Sequence, residues 1–583
     1  MGSDKKTKSK RTSMKADKNL TFGRNILFIC ISATLIVSPS ITVDAFNPPK
    51  FFIMSFGVFL LTFKYRKLLF DSAHIRSGTI YLVSVVLLPA FLVLVNSYSL
   101  SERLFGIDGR NFGAITVICL SLLGLQSFVA YRNGQISILQ LFRAMAITNL
   151  LVNVVYFLQR FGLAFTNFDN VYSTWSSTLG NPNFLSAFLA ISIFGVLGWL
   201  TSVKRGVLVK CMAASQVVAS TLVIIETRSI QGLIAMFMAI GLYALLYLSR
   251  ILSTLIFLSV AVVFFLASSY LLAALLGIVE PSLFGSQQTL IFRTVYWKIA
   301  FQIFKHSPIF GTGFDSYADS YREFLSEDFR RILGGPVISD SPHNVFLDAF
   351  VSGGLILGTL FCFVVFLALL KCSKSLVSKT DQARCNKYLA MMFFSYLGIL
   401  MISPFQISIF IWLPVIMGII IAQKIKAPRE NNVSSTQIRL QRGMTWINPL
   451  CIAVLLLFTN PYFSALPFVT DSRYRHAVES GNFYELEAVA VDWPFSASRA
   501  TAIARGMMNS GPVNSLSSSE VRQLDTIKAA ALNIVEKSAK INHKDFGTWR
   551  FLLSYRNDEM GKLQALNNLH HLDPFDVQWK RAR

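Results

Sequence analysis

Charge is scarce in this chain. Asp, Glu, Lys and Arg make up 15% of its 583 residues while 53% are hydrophobic, against roughly 25% charged residues in a soluble globular domain. That deficit excludes an ordinary soluble protein. Acidic residues are scarcer than basic ones, 31 against 54. The resulting charge of +23 would suit nucleic acid, but its distribution does not. Eight basic residues lie in the N-terminal tail (Lys5, Lys6, Lys8, Lys10, Arg11, Lys15, Lys18, Arg24) and most others in alternate short loops, which is a topology signal. Metal chemistry has little to work with. Neither a His/Cys cluster nor an Asp-x-Asp nucleotide-sugar signature occurs, so no metal, no cofactor and no cytosolic sugar-nucleotide transferase is expected. Of seven cysteines, Cys30, Cys119, Cys211, Cys362 and Cys451 lie in apolar segments and Cys372 and Cys385 in a basic loop. No disulfide framework is implied.

What the chain has in abundance is apolar runs of about twenty residues, the length that crosses a bilayer. Candidate spans fall near 25–45, 50–64, 78–98, 112–131, 136–158, 183–201, 207–225, 231–248, 251–276, 344–370, 388–403, 405–423 and 446–463. The pair around Ser403-Pro404 is either two spans or one broken helix. The tail precedes an apolar stretch without a small-residue cleavage site, so the first helix is read as retained. The expected fold is an all-α polytopic membrane protein of about 13 helices, with a basic cytoplasmic tail over 1–24 and a membrane domain over 25–464. Basic loops such as Lys64–Lys67, Lys204–Lys210 and Lys371–Lys387 are assigned to the cytoplasm, whereas the opposite loops hold only Lys50, Arg103, Arg110, Arg160 and Arg228. Under the positive-inside rule the C-terminus is then extracytoplasmic, in a bacterial inner membrane.

Two outer regions are too long to be turns, the loop 277–343 and the tail 465–583, and long connections usually bind or gate something. The tail reads as a small all-α domain. Ser517-x-x-Glu520 forms a capping box before an apolar face of Val521, Leu524, Ile527, Ala531, Ile534 and Val535. Helix-ending turns recur at Val491-Asp492-Trp493-Pro494-Phe495 and Leu572-Asp573-Pro574-Phe575. Tetratricopeptide-like hairpins and a generic bundle are both compatible with this pattern.

An ordered series of short motifs falls on the outer face. It runs Gly180-Asn181-Pro182-Asn183, Thr227-Arg228-Ser229, Arg293-x-x-x-Trp297, Ser307-Pro308-x-x-Gly311-x-Gly313, Pro342-His343-Asn344 and Gly353-Gly354. Each piece alone is ordinary turn or helix-start chemistry. In this order, over roughly residues 100–420, the series resembles the O-antigen ligase and Wzy-type polymerase superfamily, which includes bacterial O-linked oligosaccharyltransferases. The resemblance implies a glycosyltransferase C-like enzyme that needs no metal and takes a glycan from undecaprenyl diphosphate. Its essential histidine matches His343 and its arginine before a tryptophan matches Arg293. A second arginine, in a Thr-x-Ser-Arg-Gly pattern, corresponds to Thr227-Arg228-Ser229-Ile230-Gln231-Gly232 with a displacement of two positions.

The residue types suit that chemistry on their own terms. Transfer from a diphosphate lipid needs a base for the acceptor hydroxyl and compensation for charge on the departing diphosphate. Imidazole supplies the first, and guanidinium forks bind phosphate bidentately. His343 also fits a helix-start cap, and Arg293 an interfacial anchor. Arg110, in Gly106-x-x-Gly109-Arg110-Asn111, and Asn344 are further candidates for touching diphosphate or glycan. Gly180, Asn181, Asn183, Gly311 and Gly313 are expected to shape the backbone. Asp315, Asp319, Glu323 and Glu327 form an acidic stripe that Arg322, Arg330 and Arg331 are placed to neutralise. The expected partners are a lipid-linked glycan donor, a glycan, lipid or protein acceptor, and the bilayer. Ligation is favoured over polymerisation because a repeat-like tail suits a docked partner. A polyprenyl-linked glycan flippase is the rival of a different class, set against spans nearly free of charge and without a duplicated half.

Overall fold

A computed structural model describes residues 21–70, 88–95, 99–163, 175–202, 206–248, 262, 288–334, 337–377, 382–423, 460–509 and 518–576. The basic tail through residue 20, most of the expected span 78–98, the span 251–276 apart from residue 262, residues 277–287 of the outer loop, most of 446–463 and Ser517 of the capping box lie outside those residues. Among the described residues all regular structure is helical, and the protein is an all-α polytopic membrane protein. Six helices among the described residues are long and apolar enough to cross a bilayer: Ala114–Arg132, Ile138–Arg160, Pro182–Ser202, Val207–Glu226, Ile230–Leu248 and Val345–Lys374. Shorter apolar helices run Thr21–Leu35, Asn386–Ile402 and Ile407–Ala422. The first is shorter than the expected 25–45, because the chain turns after Leu35, where Ser38 and Thr42 bond each other at 2.7 Å.

The Pro182–Ser202 helix forms the axis of the bundle. It packs against Ile138–Arg160, Val207–Glu226, Ile230–Leu248 and Gln382–Ile402. Polar side chains point inward and bind one another, as expected where lipid offers no partners. Asn149 donates to Ser192 (2.8 Å) and Ser220 (2.9 Å). Lys50, assigned above to an outer loop, lies instead in the first turn of the Asn47–Phe70 helix. It is fully buried there and donates to the carbonyls of Thr34 (3.2 Å) and Thr178 (2.6 Å).

The ambiguity at Pro404 resolves into a hairpin. Asn386 meets Gln423 at 3.1 Å, and the Tyr396 hydroxyl donates to the Ile409 carbonyl at 2.7 Å. The two legs therefore run side by side in opposite directions, and residue 423 returns to the level of residue 386. At the apex Phe405 stacks on Phe112, with centroids 4.0 Å apart.

The expected span 344–370 is interrupted. Gly353 (φ −136°, ψ 19°) and Gly354 (φ 61°, ψ −155°) break the Val345–Val377 helix, leaving a half-helix before them and about 23 residues after, enough to span. Into this break the segment 308–313 inserts as a backbone clamp. Thr312 N–H donates to Val351 O (2.8 Å), Gly313 N–H to Ser352 O (3.1 Å) and Leu355 N–H to Pro308 O (2.8 Å). A Cβ on Gly311 would stand 2.4 Å from Val351 O, and one on Gly354 would stand 2.2 Å from Ile309 O. Only glycine tolerates such contact with φ > 0.

The C-terminal helices from Pro461–Ser480 to Glu559–Leu572 build their own core of Ile503, Ile534, Val535, Trp549, Phe551 and Leu572. The apolar face expected on the Ser518–Ile541 helix is buried at Ala531, Ile534 and Val535, while Val521 at its start is 44% exposed. These helices sit on the membrane domain at the same end as the motif series. Asp471 accepts from Asp44 N–H (2.9 Å), and Glu102 accepts from Ala497 N–H (3.0 Å) and Asn542 Nδ2 (2.8 Å).

Candidate active site

The site is held by a frame of buried ion pairs centred on Arg110. Gly106, at φ 86°, turns the chain back against Phe112 and brings Arg110 under the outer loop. Its Nη1 lies 3.0 Å from Asp315 Oδ1 and donates to the Asp340 carbonyl at 2.6 Å, and its Nη2 lies 2.9 Å from Asp348 Oδ2. Burial would lower its pKa, but Asp315, Asp348 and Asp340 outweigh that and raise it. Both terminal nitrogens are occupied by protein. Arg110 was expected to touch glycan or diphosphate; its guanidinium ties the segments carrying Asp315, Asp340 and Asp348 to its own. Arg103, seven residues earlier on the short Leu100–Phe105 helix, does the same. It is fully buried, 2.6 Å from Asp319, and bonds the Phe314 carbonyl.

The two aspartates of the acidic stripe are neutralised, though not by the arginines interleaved with it. Asp315 and Asp319 pair with Arg110 and Arg103, whereas Arg322 and Arg330 both pair with Asp573 of the C-terminal helices and Arg331 with Asp328.

His343 sits at the mouth of this frame, immediately before the half-helix. Its backbone is left-handed, at φ 51°, which costs a non-glycine residue on the order of 1–3 kcal/mol and is kept only where surroundings impose it. Here Asn344 caps the helix, its Oδ1 accepting from Leu347 N–H at 3.1 Å, and Arg110 holds the Asp340 carbonyl three residues back. The imidazole stacks on the Tyr296 ring, with centroids 5.6 Å apart and planes 25° apart. Nδ1 is buried without a hydrogen-bond partner among the described residues. Burial pushes the pKa down to about 4, Asp340 opposing and Arg293 and Arg110 adding to the fall. At neutral pH the ring is uncharged and able to accept a proton.

Arg293 lies on the Gln288–His306 helix, three residues before Tyr296. It is 7% exposed, and its Nη1 is buried with no partner among the described residues. Burial lowers its pKa to about 10, so it stays protonated at neutral pH. A desolvated guanidinium without a carboxylate is costly in a stable fold. It is the arrangement expected of a group whose anion arrives from outside.

The remaining candidates divide. Arg228 is solvent-exposed with φ 51° at the end of Val207–Glu226, and the nearby Ile230 packs against the cluster containing Tyr296 and Trp297. Asn344 has its oxygen committed to the helix cap. Gly180 (φ 78°) abuts the Phe46 ring, and Asn181 Oδ1 accepts from Asn183 N–H at 2.8 Å, a helix-start turn. Tyr296, Asp340 and the Asp315–Arg110–Asp348 tie were invisible in the sequence. Tyr296 lies inside Arg293-x-x-x-Trp297 with nothing to mark it, and the Arg110 pairs join positions more than 200 residues apart.

Residues 214–363 match the family model described as O-antigen ligase (Wzy_C). The match includes Arg228, Arg293, the 308–313 clamp, His343 and the glycine break, and is narrower than the 100–420 expected. It omits Arg110 and the C-terminal helices. No curated protein sequence matches the chain.

Proposed function

Because its O-antigen ligase domain places this chain in the O-antigen ligase and Wzy-type superfamily, we propose that it transfers a glycan from a polyprenyl diphosphate, such as undecaprenyl diphosphate, to a lipid or protein acceptor on the extracytoplasmic face. The observation that carries this reading is an uncharged His343, stacked on Tyr296, within electrostatic reach of a buried Arg293 nitrogen that has no partner among the described residues. Arg293 receives diphosphate oxygens, and Arg228 meets the same group from the rim. His343 takes the proton of the acceptor hydroxyl as it attacks the anomeric carbon, and the bond from that carbon to the diphosphate oxygen breaks. The departing lipid diphosphate carries the electron pair away, stabilised by the arginines. A bound diphosphate also offsets the positive charge of Arg293 and so raises the His343 pKa from about 4 toward the range where a base works best. Arg110 holds the frame and does not bind donor.

The test is turnover by purified protein in detergent, supplied with an undecaprenyl-diphosphate glycan and candidate acceptors. Release of lipid diphosphate coupled to glycosylated acceptor supports ligation. Growth of the lipid-linked glycan itself would indicate polymerisation, and movement of intact donor between leaflets without cleavage would indicate a flippase. The extracytoplasmic placement is tested by single cysteines. One at Ser326 reacts with an impermeant thiol reagent added outside and one at Ser375 does not, and the reverse pattern would overturn it.

A further inference from the structure

Building on the transfer chemistry above, we propose that the C-terminal helical domain is a working part of the active site, with Asp573 a positioning residue that holds His343 through a relay of contacts across the outer loop. Asp573 ends the Glu559–Leu572 helix and is completely buried. Its carboxylate takes Arg322 at 3.4 Å and also Arg330, which reaches Asp576 at 3.7 Å. The Arg322 guanidinium lies 4.0 Å over the ring of Phe546, another residue of the C-terminal domain. Without Asp573 these two arginines face each other at close range with their main counter-charge gone.

Arg322 directly follows Tyr321, and from there the contacts run through rings. Tyr321 is fully buried and meets Tyr296 edge-on, with centroids 6.0 Å apart and planes 68° apart. Tyr317, one helical turn earlier, donates its hydroxyl to the Tyr296 carbonyl at 2.9 Å. Tyr296 is the ring on which His343 stacks. The C-terminal domain grips this segment from a second side. Glu102, 4% exposed, binds Ala497 and Asn542 of that domain, and the adjacent Arg103 holds Asp319. Residues 317–330, which back the Tyr296 ring, are thus anchored at both ends to helices far away in sequence. Close packing transmits displacement, so releasing Asp573 frees Tyr321, tilts Tyr296 and lets the imidazole leave its buried pose.

The test uses the full-length protein in detergent and three variants, Asp573→Asn, Tyr321→Ala and Tyr321→Phe. Misplacing a catalytic group by about 1 Å costs up to about 100-fold in rate. Asp573→Asn and Tyr321→Ala are therefore expected to lower kcat by about 10-fold or more, with KM for donor and acceptor within about two-fold. Tyr321→Phe should match the parent, because the Tyr321 hydroxyl makes no hydrogen bond and only its ring is used. A looser imidazole gains water, so the acid limb of the pH profile should move upward while Asp340, Arg293, Arg110 and Tyr296 still face the ring. Modification of His343 by diethylpyrocarbonate, read by mass spectrometry, should quicken in both impaired variants and reports on the relay even if the parent proves not to transfer glycan. A rise in acceptor KM alone, with kcat, pH profile and modification rate unchanged, would overturn the relay and make the domain a docking surface. Should Asp573→Asn fail to fold, parental kcat and parental modification rate in Tyr321→Ala would overturn it equally.

Discussion

Arg293 and Arg110 lie at the same end of the molecule and are buried to nearly the same degree, 7% and 5% exposed, yet their surroundings are opposite. Around Arg110 stand two carboxylates and a backbone carbonyl, and both terminal nitrogens are engaged. Arg103, Arg322 and Arg330 are likewise matched by Asp319 and Asp573. Around Arg293 there is no carboxylate within ion-pair distance among the described residues, and Nη1 stands buried and empty-handed. Burial does not separate an arginine that builds a site from one that serves it. Saturation does, because a buried cation already neutralised has nothing left to offer a diphosphate.

That contrast is broken most severely at Arg110. Replacing it with Ala strands Asp315 and Asp348 in a dry interior, and removing one partner of a buried pair typically costs about 3–5 kcal/mol. Arg110→Ala is expected to lose folded protein, read as a large fall in thermal midpoint in detergent, with donor affinity falling only in step with the folded fraction. Arg293→Lys should do the reverse. Lysine keeps the charge and loses the fork, so the thermal midpoint should hold while kcat/KM for the lipid diphosphate falls by about 10-fold to 100-fold, on the order of 1.4–2.7 kcal/mol. Arg228→Lys, exposed at the rim, should fall by a few-fold only.

The smallest effect concerns pH. In the proposed mechanism a neutral imidazole is the active form, and burial, aided by Arg293 and Arg110 and opposed by Asp340, lowers the His343 pKa to about 4. The acid limb of kcat/KM, which reports the free enzyme, should therefore lie well below the ordinary histidine value of about 6.5. Arg293→Gln removes one of the charges that depress it, so the limb should move to higher pH. An acid limb at 6.5 in the parent would mean a solvated His343.

Much of the molecule was readable in advance because apolar periodicity and Lys/Arg loading are local signals. They predicted an all-α membrane fold and gave the long apolar helices among the described residues to within a few residues. His343 and Arg293 were singled out by the ordered motif series and the family resemblance it carries, and Gly311 and Gly313 were expected to shape the backbone where the 308–313 segment meets the half-helix. What escaped notice was long-range pairing. Arg110 looked like a free outer cation because Asp315 and Asp348 are over 200 residues away. The acidic stripe looked self-neutralising because Arg322 and Arg330 are its sequence neighbours, whereas Asp573 claims them from some 250 residues on. The break at Gly353-Gly354 was hidden inside an unbroken apolar run.

Comparing donor affinity and turnover in His343→Ala tests the central claim most directly. General-base catalysis is worth roughly 10²–10⁴-fold, and this histidine holds none of the ion pairs that build the frame. The expected result is a folded protein that binds undecaprenyl-diphosphate glycan within about two-fold of the parent and releases lipid diphosphate at least about 100-fold more slowly. Turnover within a few-fold of the parent would contradict the account.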